Sequence, residues 1–381
     1  MSYTVLARRY RSKAFDQLVG QEAVARTLRN AIDQDRVAHA YLFVGTRGVG
    51  KTSMARLLAK ELNGGSADVD EAIMTGRDTD VIEIDAASNS KVEETRDLIA
   101  NAVYRPLRGK YKIYIIDEVH MLSTASFNAL LKTLEEPPEH VKFILCTTET
   151  HKVPATIQSR CQRFDFRNLS TPEIAAHLKE VVDAESVPAD DEALAIVARL
   201  GNGSMRDALS LLDRLMAARA ADEPVSPALA ERVLGLPPRE RVEALVDAIA
   251  GSDAGGALRA ADDLLGAGVD IEQALGALAQ RCRDLLVLRA CGPDTDLVDL
   301  AGDARDRATA QAQNFDEPQL VHMIALCESV QRSSRGSSAP RALFDAAVAR
   351  LAMTERLAQV AALLEAKPPA ELAGTGARKK A

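Results

Sequence analysis

A glycine-rich segment of the chain has the residue types and spacing of a phosphate-binding loop. Residues 45–52 read GTRGVGKT and match the pattern GxxxxGK[ST] in full, between a strand-like run at 41–44 and a helical pattern at 50–62. Glycines let backbone N–H groups surround phosphate oxygens, and the helix N-terminus favours an anion. The motif therefore predicts binding of ATP or GTP, with Lys51 reaching the β- and γ-phosphates and the Thr52 hydroxyl binding Mg²⁺. The residues assigned to this site are Gly45, Thr46, Arg47, Gly48, Val49, Gly50, Lys51, Thr52 and Ser53.

Two carboxylates follow an apolar run further along the chain. Residues 113–118 read IYIIDE. In a phosphate-binding fold, an acid at the end of a strand holds the metal, so Asp117 is predicted to bind Mg²⁺. Glu118 would then point toward the γ-phosphate and polarise the attacking water as a base. An ordinary strand end is the alternative, and the phosphate loop upstream argues against it.

Two further elements are candidates for a role in hydrolysis. Residues 143–148 (FILCTT) are predicted to form a buried strand that ends in hydroxyls suited to holding a water or a phosphate oxygen. The alternative is that the threonines are present only because β-branched residues favour strands. Arg160 lies in Ser159-Arg160-Cys161, before another strand-like run. It either acts as an arginine finger on the nucleotide of an adjacent subunit or pairs with a nearby acid on the surface.

The elements that must position these residues have an α/β pattern, followed by an all-α pattern. Strands are predicted at 41–44, 81–84, 112–116, 141–147 and 163–166, with helices at 50–62, 91–103, 124–135 and 154–158. This alternation predicts a parallel sheet. Beyond Phe166, Ala/Leu-rich helical patterns predict three helices to about 220, a boundary near 221–238, and roughly five more helices to about 364.

Composition divides the chain at almost the same place and excludes several classes of protein. All six Tyr and six of the eight Phe lie within residues 1–166, and the net charge of -8 divides into +2 for residues 1–170 and -10 for residues 171–381. The N-terminus lacks the apolar region of a signal peptide, and no run reaches the ~18 apolar residues of a membrane span. The five widely spaced cysteines form no CxxC pair, so neither a disulfide framework nor a zinc cluster is indicated. These features predict a cytoplasmic protein without membrane partners.

These motifs closely resemble the gamma/tau family of bacterial DNA polymerase III, the motor subunits of the sliding-clamp loader and AAA+ ATPases. The matching stretches cover residues 3–215 almost continuously and are YTVLARRYR with FDQLVGQE, HAYLFVGTRGVGKTSMARLLAKELN, DVIEIDAASN with VEETRDLI, IYIIDEVHMLSTASFNALLKTLEEPPEHVKFIL, IQSRCQRFDF and GSMRDALSLLD. The resemblance implies ATP with Mg²⁺ as ligands, and a motor that loads the clamp on primed DNA. It implies as partners delta, delta-prime and further gamma/tau copies, together with the clamp and DNA. Polymerase chemistry would belong to the holoenzyme alone.

The resemblance also implies roles for single residues and for domains. Thr148 would be the sensor-1 residue, Arg160 the finger acting in trans, and Arg206 the sensor-2 residue of the lid, while Ala7, Arg11 and Val19 would lie beside the adenine. Ser88, Asn89 and Lys91 are candidates to face DNA, with a helix cap and a solvated lysine as the alternative. The implied domains are an ATP-binding core at 1–170, a three-helix lid at 171–222, an oligomerising collar at 236–365 and a flexible tail at 366–381.

The chain departs from the family pattern in three places. The family carries a four-cysteine zinc module after LN, but here Asn63 is followed by Gly64-Gly65-Ser66, so no zinc is expected. That GGS has the composition of a flexible linker and reflects either lineage loss or engineering. Arg11-Ser12 stands where the family has Arg-Pro. The long tau extension is missing, which indicates a gamma-like or truncated form.

Two other functions are compatible with a phosphate loop. A branch-migration or helicase motor would need a DNA-binding winged domain after the lid, and the Ala/Leu helices of residues 236–364 do not predict one. A non-hydrolysing scaffold would need a degraded phosphate loop, whereas Lys51, Thr52, Asp117 and Glu118 are all present.

Overall fold

A five-stranded parallel sheet forms the centre of the N-terminal part of the chain. In the computed structural model, residues 4–88, 104–220, 222–298, 300 and 302–353 are described, and they belong to two units, Met1–Pro227 and Ala228–Ala381. The strands are β1 (Ala40–Val44), β2 (Val81–Asp85), β3 (Lys112–Asp117), β4 (Val141–Thr147) and β5 (Gln162–Asp165). Their order in the sheet is β2-β3-β4-β1-β5, and every pair is parallel. The predicted parallel α/β fold is confirmed.

The helices of the first unit lie before, between and after these strands. They are α1 (Leu6–Arg9), α2 (Glu22–Asp33), α3 (Lys51–Asn63), α4 (Ala67–Thr75), α5 (Thr124–Glu135), α6 (Ala155–Gln158), α7 (Thr171–Ala184), α8 (Asp191–Leu200) and α9 (Met205–Ala218). Short 3-10 helices span Phe15–Gln17, Val119–Met121 and Thr150–Lys152. The predicted helix at 91–103, with Asn89 and Lys91, lies outside the described residues.

Alternating side chains of the central strands build a core on each face of the sheet. Phe43 of β1 packs on one face with Phe164 of β5, their ring centroids 5.9 Å apart, and Tyr114 of β3 stacks on Phe143 of β4 on the other face at 5.5 Å. Aromatic rings fill the space between a sheet and its covering helices, and losing one from a core costs about 3–5 kcal/mol. This packing explains why the aromatic residues concentrate before residue 167.

The GGS segment is an organised turn and not a linker of undefined shape. Ser66 is the N-cap of α4, and its Oγ accepts from the backbone N–H of Val69 at 3.5 Å. The Asp70 carboxylate of the first turn accepts from the Gly65 N–H and lies 3.7 Å from the Lys60 ammonium of α3. A linker-like composition is therefore compatible with an ordered turn here, because capping interactions join α3 directly to α4.

The second unit is all-helical in the part that the structure describes. Its helices are α10 (Pro227–Leu234), whose first residue ends the first unit, α11 (Arg239–Ala250), α12 (Ala254–Gly266), α13 (Ile271–Cys291), α14 (Asp303–Ala312), α15 (Glu317–Ser334) and α16 (Pro340–Ala352). One detail differs from prediction, because helix α10 occupies the interval expected to be a boundary. Six helices follow it within the described range, where roughly five were predicted. The domain bounds at 170, 222, 236 and 365 stay predictions, and residues 366–381 lie outside the described part.

Candidate functional site

The loop between β1 and α3 is shaped by two glycines with left-handed backbone. Gly48 has φ +78° and Gly50 has φ +101°, a region that other residues enter only with strain. A Cβ at Gly48 would lie 1.9 Å from the Oγ of Ser204, the residue just before α9. The loop therefore adopts its turn only with glycine at 48, and it lies directly against the start of α9.

Lys51 begins α3 and is 5% exposed. Its Nζ donates to the carbonyl oxygens of Gly45 at 2.8 Å and of Thr46 at 2.7 Å. Burial lowers the pKa of the ammonium, and the nearby carboxylates of Glu118 and Asp117 oppose that shift. The charge is thus held beneath the loop, in the position where a phosphate-binding lysine is required.

A hydroxyl and a carboxylate meet at the carboxyl edge of the sheet. Thr52 Oγ1 donates to Asp117 Oδ2 at 2.6 Å, so residues 65 positions apart join α3 to the end of β3. The other oxygen, Oδ1, accepts the N–H of Glu118 at 3.0 Å. Hard oxygen donors of this kind suit Mg²⁺, which takes one or two protein ligands beside phosphate oxygens and water. The donor set at Thr52 and Asp117 fits that ion.

Glu118 has an unusual backbone and side-chain environment. Its φ is +48°, which turns the chain sharply after β3. Thr148 Oγ1, from the residue after β4, donates to Glu118 Oε2 at 3.0 Å. The ring of His120 lies 3.5 Å from the same carboxylate oxygen. Sequence reasoning singled out Glu118 and Thr148 but overlooked His120, which stands two residues after Glu118 in the same segment.

A large cavity of about 1250 Å³ opens beside these residues. Residues 47–53 of the loop line it together with Asp117 and Glu118. The remaining predicted ligands on its wall are Ala7, Arg11, Val19 and Arg206. Gly45 and Thr46 contribute their carbonyls to Lys51 and do not line the cavity as described. The fold thus gathers residues from both ends of the first unit around one space.

The cavity wall also contains residues that the sequence analysis did not assign. Among them are Arg8, Tyr10, Arg56, His177 and Met205. Their positions depend on α1, α3, α7 and α9 packing together, and no local pattern marks them. Cavity-lining residues of this type are found only from the tertiary structure.

Positive charge accumulates along one side of the cavity. Burial lowers the pKa of the Arg11 guanidinium, and the cations of Arg56 and Arg206 lower it further, while Glu83 opposes them. Arg56 is itself held by Glu83, with a contact of 2.7 Å between Nε and Oε2. Since Arg11 lines the cavity near two other cations, the wall favours an anionic ligand.

The start of α9 brings Arg206 to the loop. Ser204 caps this helix by accepting the Asp207 N–H at 3.2 Å, and Arg206 lies in the first turn. The Arg206 Cβ is 3.3 Å from where a Cβ of Gly48 would be. The N-terminal segment is tied to α7 by the Arg9–Glu185 ion pair of 2.6 Å. These contacts place the start of α9 against the loop and the N-terminal segment against the end of α7.

Arg160 lies apart from this site in its own chain. It does not line the described cavity, and about a third of its side chain is exposed. Its guanidinium donates to the Thr156 carbonyl at 2.9 Å and to Glu135 Oε1 at 2.7 Å. This ion pair with Glu135 is the surface pairing that the sequence analysis gave as the alternative for Arg160. Action on a neighbouring chain stays a prediction.

The cysteines and other metal-ligand residues form no additional centre in the described chain. Within the described ranges, no group of three or more His, Cys, Asp or Glu side chains is placed to hold a metal ion. All five cysteines are free, and burial raises the pKa of Cys161 and of Cys327 to about 12. The absence of zinc stays an expectation. Within the same ranges, none of the helices combines the length and apolar character required to cross a membrane.

Family models match three consecutive parts of the chain. Residues 20–170 match the DNA polymerase III delta subunit model, 173–220 match the ATPase lid domain of the DNA polymerase III clamp loader subunit, and 225–366 match domain III of the DNA polymerase III subunits gamma and tau. Together they extend over nearly all of the described residues.

Individual relatives agree with these matches. The chain is 50% identical to DNA polymerase III subunit tau of Escherichia coli over 258 residues, covering 65% of this chain and 40% of that protein. It is 40% identical to the tau subunit of Bacillus subtilis over 364 residues, covering 93% and 64% respectively. The chain therefore spans less than two thirds of the length of either relative.

A solved structure of the Thermotoga maritima RuvB Holliday junction branch migration motor is 20% identical, with a TM-score of 0.47 over 63% of this chain and 79% of that chain. A likeness this slight supports no inference about function. The three domain models and the two relatives, taken with the loop and carboxylate geometry, show that the chain belongs to the gamma and tau subunit family of DNA polymerase III.

Proposed function

We propose that this chain is an ATP-hydrolysing motor subunit of the DNA polymerase III clamp loader. One observation carries the proposal: Thr52, Asp117, Glu118 and Thr148 meet beside the phosphate loop through contacts of 2.6, 3.0 and 3.0 Å. A scaffold that only binds nucleotide does not need a second carboxylate held beside the metal-binding pair. The family membership supplies the replication context.

The residues of the site divide the work of phosphoryl transfer. The loop N–H groups and Lys51 bind the β- and γ-phosphates, while Thr52 and Asp117 hold Mg²⁺. When bound, that ion neutralises charge on the phosphate oxygens. Glu118 orients the attacking water and accepts its proton, and Thr148 fixes the direction of the Glu118 carboxylate. Positioning of these groups supplies most of the catalysis in this reaction class.

The remaining assigned residues act at the edges of this site. Ala7, Arg11 and Val19 bind the adenine side of the nucleotide, and Arg206 contacts the phosphates from the start of α9. Arg160 reaches the nucleotide of the next subunit, where an arginine finger contributes about 10³–10⁵ in turnover. Its partial exposure and its position outside its own cavity support a role in trans.

The proposed assembly follows the family pattern. The lid is residues 171–222, and the collar, residues 236–365, assembles with delta, delta-prime and further gamma/tau copies. ATP binding at the subunit interface holds the sliding clamp open on primed DNA, and hydrolysis releases it. The matched clamp-loader lid and gamma/tau domain III models support this arrangement.

The proposal is tested by measuring ATP turnover of the chain reconstituted with its partner subunits. Primed DNA and sliding clamp together should stimulate turnover, and Glu118→Gln should abolish turnover while nucleotide still binds. Turnover that these two components fail to stimulate would overturn the clamp-loading function. Nucleotide binding with no turnover in the full assembly would instead indicate a scaffold.

A further inference from the structure

The side chain of His120 is buried between two carboxylates, one of which is the candidate base. Only 6% of this side chain is exposed. Its Nδ1 lies 3.0 Å from Thr147 Oγ1 and 3.5 Å from Glu118 Oε2. Its Nε2 lies 3.3 Å from Glu149 Oε1. One imidazole ring therefore touches the carboxylate that faces the cavity and a second carboxylate nearer the surface.

The two residues on either side of the end of β4 complete this arrangement. Thr147 Oγ1 accepts the Glu149 N–H at 3.0 Å, which fixes the backbone where the Glu149 side chain begins. Thr148 donates to the same Glu118 oxygen that faces the His120 ring. Glu118 is thus restrained from two sides, by a hydroxyl of the β4 end and by an imidazole of its own segment.

We propose that His120 is a positioning residue for ATP hydrolysis, which holds the Glu118 carboxylate in its productive orientation and is itself oriented by Thr147 and Glu149. The inference rests on the proposed function, because it requires Glu118 to act on water. His120 does not line the described cavity, so it acts through Glu118 and not on the nucleotide. Such restraint matters for a catalytic base, because a misplaced base loses most of its effect.

The burial of His120 distinguishes this role from surface pairing. Glu149 also contacts Lys152 at 2.8 Å and His151 Nε2 at 3.7 Å, but His151 is 75% exposed. A histidine that merely paired with Glu149 would have no reason to be buried against Thr147 and Glu118. The chain therefore offers His151 as a matched control, since its ring contacts the other oxygen of the same Glu149.

The test is steady-state ATP turnover of the full assembly, with the His120→Ala, His120→Asn and His151→Ala variants compared with wild type. His120→Ala should lower kcat at least about tenfold, while KM and the Kd for a non-hydrolysable ATP analogue stay within twofold. His120→Asn keeps a donor near the Nδ1 position and should recover part of the lost kcat. His151→Ala should turn over as wild type does.

The outcomes separate this inference from the proposed function. If His120→Ala keeps the kcat of wild type, the positioning role is overturned. It is also overturned if kcat falls only as far as the affinity for the analogue or the thermal stability falls. If His120→Ala fails to fold, His120→Asn and Glu149→Gln decide, since both should lower kcat at unchanged analogue affinity. If wild type shows no turnover, or Glu118→Gln retains it, the proposed function fails first.

Discussion

Replacing Gly48 by alanine tests how closely the phosphate loop depends on its contact with the start of α9. The added methyl group would lie 1.9 Å from Ser204 Oγ and 3.0 Å from Ser204 Cβ, and the backbone φ is +78°. Ser204 is 5% exposed and caps α9, so it has little room to move. The substitution must therefore strain the loop, displace the cap, or both.

The magnitude follows from these two terms. Holding an L-residue in the left-handed region costs about 1–2 kcal/mol. Overpacking at a buried contact adds about 1–3 kcal/mol. For a unit of the size of Met1–Pro227, each kcal/mol lowers the Tm by about 2–4 °C, so Gly48→Ala should lower it by roughly 10 °C. Since the loop and Arg206 are displaced together, the Kd for ATP should rise by at least about tenfold, or ~1.4 kcal/mol.

Thermal unfolding and equilibrium ATP binding measure the two effects. Gly65→Ala is the matched control, because Gly65 also has a positive φ, of +151°, but has no atom within 4 Å of an added Cβ. Ser204→Gly combined with Gly48→Ala removes the two obstructing Ser204 atoms and leaves only the Arg206 Cβ at 3.3 Å, and glycine at an N-cap costs only a few tenths of a kcal/mol. The double variant should recover most of the ATP affinity. An unchanged Kd in Gly48→Ala, or no recovery in the double variant, would refute the reasoning.

Three further predictions concern single side chains. Lys51→Ala should abolish ATP binding, because no other cation is held beneath the loop carbonyls in the described structure, and retained affinity in a binding titration would contradict the assignment. Arg160→Ala should leave ATP binding intact but lower turnover of the assembly by at least about 10²-fold. Arg163 is also exposed, and Arg163→Ala should change neither quantity. If Arg160→Ala lowered turnover equally in the isolated chain, action in trans would be excluded. Arg167 holds the pKa of Glu173 at about 2, below its usual 4.5, so the Tm advantage of wild type over Glu173→Gln should be full above pH 4.5 and disappear as the pH falls toward 2. A Tm difference that is the same at pH 7 and pH 2 would contradict this ion pair.

Several elements of the fold follow directly from local sequence. The run at 112–116 is apolar at almost every position, which predicts a strand covered on both faces, and β3 spans Lys112–Asp117. The Ser170-Thr171-Pro172-Glu173 segment predicts a helix start, and Ser170 and Glu173 form a capping box at α7. In each case the signal lies within a few residues, so no distant contact can alter it.

Other elements carried no such signal. Helix α10 lies between Pro224 and the Gly235–Pro238 segment, where the sequence predicts a domain boundary. Eight residues between two helix-breaking segments resemble a linker in composition, so the helix was not predicted. The order of the GGS segment is hidden from the sequence for a related reason. Its order depends on the Asp70 carboxylate and the Ser66 cap, and flexible composition alone does not reveal those partners.

The sequence by itself determined the chemistry that this protein carries. A complete phosphate-loop motif, two carboxylates after an apolar strand and a strand ending in threonines are local patterns, and each is defined by spacing along the chain. The order of the sheet decided which of these patterns meet. Because β4 lies between β1 and β3, its hydroxyl end is next to both the loop and the Asp117–Glu118 pair.

Only the tertiary structure placed His120 against Thr147 and Glu149, Ser204 against Gly48, and the N-terminal segment around the cavity. These contacts join residues from elements that pack together only after the sheet and helices have assembled. Their distances depend on packing and not on sequence spacing, which is why no sequence motif predicts these contacts.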